Sequence, residues 1–120
     1  MKKQIFFGLT ILTALLLSIS SFGQEKSDKV KTVSFEVDGV CGMCKDRIEN
    51  AALIKGVKLA TWDKETHMLK VIYKPGKVKL LEINKAVADA GHETKKVKAN
   101  MDAYNKLPDC CKYKDGAVKH

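Results

Sequence analysis

The chain has 120 residues, 22 Lys and Arg against 14 Asp and Glu, a formal net charge of +8, four cysteines and two prolines. That length allows one modest core and no second domain of ordinary size. The bases are scattered singly, with no arginine cluster and few interleaved aromatics, so the charge describes a solvated basic surface that suits an acidic partner and not a nucleic-acid site.

Met1-Lys2-Lys3-Gln4 opens the chain, and Ile5 to Ile19 is almost wholly apolar. Small residues follow at Ser21 and Gly23. This is the layout of a secretory signal peptide over 1–23, with cleavage expected after Gly23. The apolar run is about 15 residues, short of the roughly 20 that span a bilayer, so no stable membrane insertion is expected after cleavage. The product is expected to be exported, to the periplasm if the source is a Gram-negative bacterium. Residues 24–29 are polar, and 24–30 is expected to be a flexible lead.

Val30 to Val37 alternates as a strand, with Val33, Phe35 and Val37 inward. Cys44 to Ala52 has helical spacing through Ile48 and Ala51 or Ala52, and Gly56 fits a helix stop. Val57–Asp63 and Met68–Tyr73 are two further strands around a turn at Lys64–His67, the second ending at Lys74-Pro75-Gly76. Trp62 and Tyr73 read as core residues of the sheet. Leu80, Ile83, Val87 and Ala90 mark a second amphipathic helix closed by Gly91, and His92 to Val97 fits a short lysine-rich edge strand. The order βαββαβ predicts an α+β, ferredoxin-like sandwich, with two helices on one face of a four-stranded antiparallel sheet. In that arrangement the loops at Cys41–Cys44, Lys64–His67 and Gly91-His92 share one end.

The chemistry concentrates in Gly39-Val40-Cys41-Gly42-Met43-Cys44. A thiolate, not a thiol, binds metal or attacks a disulfide. Cys41 in the loop and Cys44 in the first helical turn would meet unpaired amide N–H groups and the positive helix end, with Lys45 and Arg47 nearby. Soft thiolates select Cu(I), Zn(II) and similar ions over Mg or Ca. Two cysteines cannot complete the four-ligand shell of a closed zinc site, but they make an open linear one. The same spacing also serves redox disulfides and structural disulfides. An exported thiol site must be kept reduced or loaded with metal.

Strand order and motif together resemble the heavy-metal-associated domain of copper chaperones, the periplasmic mercury-binding protein and transporting ATPases. The resemblance rests on Val37-Asp38-Gly39-Val40-Cys41-Gly42-Met43-Cys44, Arg47-Ile48-Glu49, Gly56-Val57, Val71-Ile72-Tyr73-Lys74-Pro75 and Ala90-Gly91-His92, and covers 31–99. It implies metal ligation by Cys41 and Cys44. The family's methionine before the first cysteine is absent, and Val40 is expected to take over its packing. His92 stands where the family carries Tyr, Phe or Lys.

His92 is an accessory candidate, as a third ligand or hydrogen-bond partner of the thiolates, beside the alternative of a half-exposed loop residue. His67 is read as surface, and Met43 as lying over the loop. The tail, 100–120, carries adjacent Cys110 and Cys111. These are accessory candidates for a four-sulfur site with Cys41 and Cys44, a second thiol site, or disulfides.

These readings converge on an exported, non-enzymatic protein. It carries or sequesters a soft metal ion, Cu(I) first with Zn(II) or Hg(II) beside it, and passes it on by thiolate exchange. A metal transporter or efflux component is the expected donor or acceptor, no nucleic acid is bound, and the chain is expected to be a monomer. The alternative is a thiol–disulfide redox protein using the same pair. Against it, no tryptophan precedes Cys41, and Pro75 and Pro108 are poorly placed for such an enzyme.

Overall fold

The alternation in Lys31–Glu36 builds the first strand, β1, in a computed structural model that describes residues 29–116. The expected signal peptide and most of the expected lead lie outside the described residues. Val33 and Phe35 are half-buried and Val37 fully buried, the inward set expected from the pattern.

Helix α1 spans Gly42–Ala52 and buries Cys44, Ile48 and Ala52 at i, i+4 and i+8, one stripe along the helix. It begins two residues before Cys44 and ends ahead of Gly56, where Leu53 N–H turns back onto the Asn50 carbonyl. Strands β2 (Val57–Trp62) and β3 (Met68–Tyr73) follow. β3 is central and antiparallel to both neighbours, in the order β1-β3-β2. Leu69, Val71 and Tyr73 turn to the buried face. Helix α2 (Leu80–Asp89) adds Ile83 and Val87 to the same core. Trp62, 1 % exposed, closes the core under the Cys41 loop, and its Nε1–H donates to the carbonyls of Val37 (3.0 Å) and His67 (3.1 Å). Gly39 lies directly on the indole, where a Cβ would meet Cη2 at 3.0 Å.

The expected fourth strand does not form. Among the described residues the sheet has three strands, and the His92–Val97 segment contributes a single antiparallel bridge, Thr94 to Val37. The reason is local. Thr94 Oγ1 accepts from the amides of Lys96 (3.2 Å) and Val97 (3.0 Å), and Thr94 N–H donates to the Val97 carbonyl (3.1 Å). This side-chain turn outcompetes an extended ladder. The bridge, with Asp38 N–H donating to the Glu93 carbonyl (2.9 Å), still brings the Gly91-His92 connection beside the cysteine loop.

The chain then turns back over the site. Helix α3 (Met101–Asn105) starts at Asn100, whose side chain accepts from Ala103 N–H. Two 3₁₀ turns follow, Asp109–Cys111 and Tyr113–Asp115. Tyr104, Leu107 and Cys111 are buried in the common core. Gly91 makes this docking possible. Its φ is +101°, and a Cβ there would lie 3.0 Å from the Tyr104 backbone nitrogen.

Candidate metal centre

Cys41 is the extended residue preceding α1, and its carbonyl accepts the first helical hydrogen bond from Lys45 N–H (3.0 Å). Cys44 lies in the first turn and is fully buried. Their sulfurs are 3.8 Å apart, beside amides that have no partner within the helix. Val40, 4 % exposed, packs in the core beneath the loop, as expected of it.

Residues nearly seventy positions away complete the cluster. Cys110 Sγ lies 3.5 Å from Cys41 Sγ, and Cys111 Sγ lies 3.7 Å from it. Cys110 and Cys111 are 4.0 Å apart, and Cys41, Cys44 and Cys111 all lie within 4.8 Å of one another. All four thiols are free. Met43 lies over the loop, about half exposed, with its thioether 3.7 Å from Cys110 Sγ.

The thiols are not equivalent. Burial pushes Cys41 up, but the amides of Cys44 and Met43 and the thiols of Cys110 and Cys111 all donate to its sulfur and bring it down to about 7. The Cys110 thiol is raised because its S–H donates a hydrogen bond to Cys41, which holds the proton in place. Burial pushes the Cys111 thiol up, as does its hydrogen bond to Cys44, against the pull of Arg47. Of Cys41, Cys110 and Cys111, Cys41 is therefore the thiol most ready to carry negative charge. Arg47 Nη1 donates to Cys111 Sγ at 3.4 Å, which places a fixed positive charge against the cluster.

His92 is wholly buried, not half exposed. Its Nδ1 donates to the Asp38 carbonyl (2.9 Å), and its ring stacks on Tyr113, with centroids 5.8 Å apart. Nε2 is buried without a hydrogen-bond partner among the described residues. Burial holds the ring neutral, with its pKa brought down to about 4, and Arg47 pushes the same way. The tight group of sulfurs is Cys41, Cys44 and Cys111, and His92 stands beside that group without entering it.

His67 is half-buried rather than a surface residue. It has φ +64°, stacks on Trp62, and lies within 4.8 Å of carboxylates of Glu36 and Asp38. Trp62 and Tyr73 are in the core, as expected.

The sequence reading overlooked the residues that hold the tail. Tyr113 Oη donates to the Gly91 carbonyl (2.6 Å) and accepts from Glu93 N–H (3.0 Å). Tyr104 Oη accepts from Lys114 N–H (3.0 Å), and its ring meets Tyr113 edge-on at 5.0 Å. Tyr104 and Leu107 at helical spacing behind Asn100, a capping residue, were the available signal. A shallow depression lined by Cys41, Gly42, Met43, Lys45, Asp46 and Cys110 leaves the cluster open to approach on that side.

No family model matches the chain, and no curated protein matches it. Solved structures do. The CopZ metallochaperone is 30 % identical with a TM-score of 0.52, over 53 % of this chain and 98 % of that one. Oxidized MerP from Ralstonia metallidurans CH34 is 28 % identical with a TM-score of 0.53, over 56 % of this chain and 96 % of that one. A copper binding domain from HMA7, a P-type ATPase, is 27 % identical with a TM-score of 0.52, over 53 % and 89 %. Among the described residues no helix is long and apolar enough to cross a membrane.

Proposed function

Because this chain belongs to the heavy-metal-associated domain family, we propose that it is an exported protein that carries or sequesters a soft metal ion between Cys41 and Cys44. The observation that carries this reading is the pairing of two thiols 3.8 Å apart at the start of α1, one of them acidified to about 7. A thiol of that acidity is a ready ligand at neutral pH. An open dithiolate suits Cu(I) first, with Zn(II) and Hg(II) as further soft ions. The copper-binding and metallochaperone neighbours support the same class.

Transfer proceeds by ligand exchange. A partner's thiolate joins the ion from the side of the depression at Met43 and Lys45 before Cys41 or Cys44 departs. Only metal–sulfur bonds form and break in this step, with no covalent change in either protein. The neighbouring P-type ATPase domain supports a transporter or efflux component as donor or acceptor.

The test is a titration of the reduced, metal-free chain with Cu(I), Zn(II) and Hg(II) against competing chelators. Tight binding should be lost in Cys41→Ser/Cys44→Ser. Failure of the reduced wild type to compete for any of the three ions would overturn the reading and favour a redox or structural disulfide at Cys41–Cys44.

A further inference from the structure

Resting on the Cys41–Cys44 reading, we infer that the tail supplies Cys110 and Cys111 as third and fourth ligands, so that the docked tail turns an open pair into a closed tetrathiolate cage for a tetrahedral divalent ion of the zinc class.

The distances carry this. Metal–sulfur bonds of about 2.3 Å separate the corners of a tetrahedron by about 3.8 Å, whereas two such bonds in line separate their sulfurs by about 4.6 Å. The observed separations are 3.8 Å (Cys41–Cys44), 3.5 Å (Cys41–Cys110), 3.7 Å (Cys41–Cys111) and 4.0 Å (Cys110–Cys111). Cys44 and Cys111 lie within 4.8 Å. The four measured separations are near the tetrahedral spacing and well short of the linear one; the sixth edge, Cys44–Cys110, is longer, since Cys110 lies outside the group of sulfurs all within 4.8 Å of one another, so closing the cage requires the half-buried Cys110 to move inward. A tetrahedral four-sulfur shell is a zinc-like geometry.

The arrangement is also built. Cys111 is fully buried, where an idle thiol would gain nothing from an arginine donor, yet Arg47 is directed at its sulfur. The 3₁₀ turn at Asp109–Cys111, closed by Cys111 N–H onto the Pro108 carbonyl (2.8 Å), brings both adjacent sulfurs to the Cys41 side. Tyr104, Leu107 and Tyr113 hold that turn against the Gly91–Glu93 segment. On binding, every coordinating cysteine that is still a thiol releases its proton to solvent. A divalent ion with four thiolates leaves a net charge of minus two, facing Arg47 and the amides at the start of α1. A linear ion would use the Cys41–Cys44 pair with the tail lifted. The tail thus sets ion preference and retention.

The test combines two measurements on the reduced full chain. In the first, Zn(II)-loaded wild type is alkylated and mapped by mass spectrometry, with Co(II) as a spectroscopic stand-in for tetrahedral thiolate coordination. One ion per chain, all four cysteines protected and intense tetrahedral Co(II) bands are expected. In the second, Zn(II) and Cu(I) affinities are compared for wild type, Cys110→Ser/Cys111→Ser and the matching alanine pair. Loss of outer-shell partners alone costs 10–100-fold in metal affinity, so loss of two ligands should weaken Zn(II) by at least about 100-fold. Cu(I) binding should persist, which also shows that the variants are folded. Zn(II)-loaded wild type with Cys110 and Cys111 open to alkylation would overturn the cage whatever the variants do. So would tail variants that bind Zn(II) as tightly as wild type. Either result leaves the Cys41–Cys44 carrier standing, whereas a wild type that binds no ion sinks both.

Discussion

Gly91→Ala should release the tail without removing a single thiol. Gly91 has φ +101°, a conformation that costs a residue with a Cβ about 1–3 kcal/mol. The added Cβ would also lie 3.0 Å from Tyr104 N and 3.1 Å from Ala103 C. These are backbone atoms and cannot rotate aside, so crowding adds about 1–3 kcal/mol. The sum is about 2–6 kcal/mol, and lifting α3 relieves only the crowding part. Cys111, at 0 % exposure, should therefore become accessible. The assay is the alkylation rate of Cys111 in the metal-free protein, read alongside the thermal midpoint. At about 4–8 °C per kcal/mol for a domain of this size, a fall of at least about 8 °C is expected. Gly76→Ala is the control, since its Cβ would meet nothing within 4 Å and it has no positive φ. A Gly91→Ala protein with Cys111 still protected and an unchanged midpoint would refute the argument.

Three further outcomes follow from the same geometry. Trp62→Ala removes a fully buried indole and both its hydrogen bonds, and should cost about 3–5 kcal/mol in urea unfolding. For His92, the folded ring takes a proton only near pH 4, whereas the unfolded ring takes one near 6.5. Stability of the metal-free chain should thus be full above pH 6.5 and fall as pH drops toward 4, by up to about 3 kcal/mol, with His92→Gln flattening that slope in urea midpoints. Removing a thiol donor with Cys111→Ala should raise Cys41 above its value of about 7, seen as a shift in thiolate ultraviolet absorbance against pH.

Most of the sheet and both long helices were legible because their signals are local. β3 occupies Met68–Tyr73 as its alternation indicated, α1 buries Ile48 and Ala52, and α2 buries Ile83 and Val87, while Leu80 and Ala90 of the same spacing are only half-buried. The absence of a fourth strand is not legible, because His92–Val97 has the composition of a lysine-rich edge strand, whereas the Thr94 hydroxyl ties its own backbone into a turn. The burial of His92 is not legible either, because a lone histidine in a loop says nothing of what will cover it. Its cover is Tyr113, some twenty residues on.

The sequence by itself determined where the thiol pair sits, that a helix follows it with Cys44 in or next to the first turn, and which faces of the first and third strands and of the two helices are apolar. These follow from periodicities of two and 3.6 residues within short windows. Only the tertiary structure decided what surrounds the pair. The approach of Cys110 and Cys111 to within 4.0 Å of one another and of Cys41 depends on a backbone contact at Gly91, two tyrosines and an arginine donor. The sulfur contacts and the Arg47 donor join segments 64 to 70 residues apart, and no local pattern records a closure of that length, whose cost is met only when the packed faces meet.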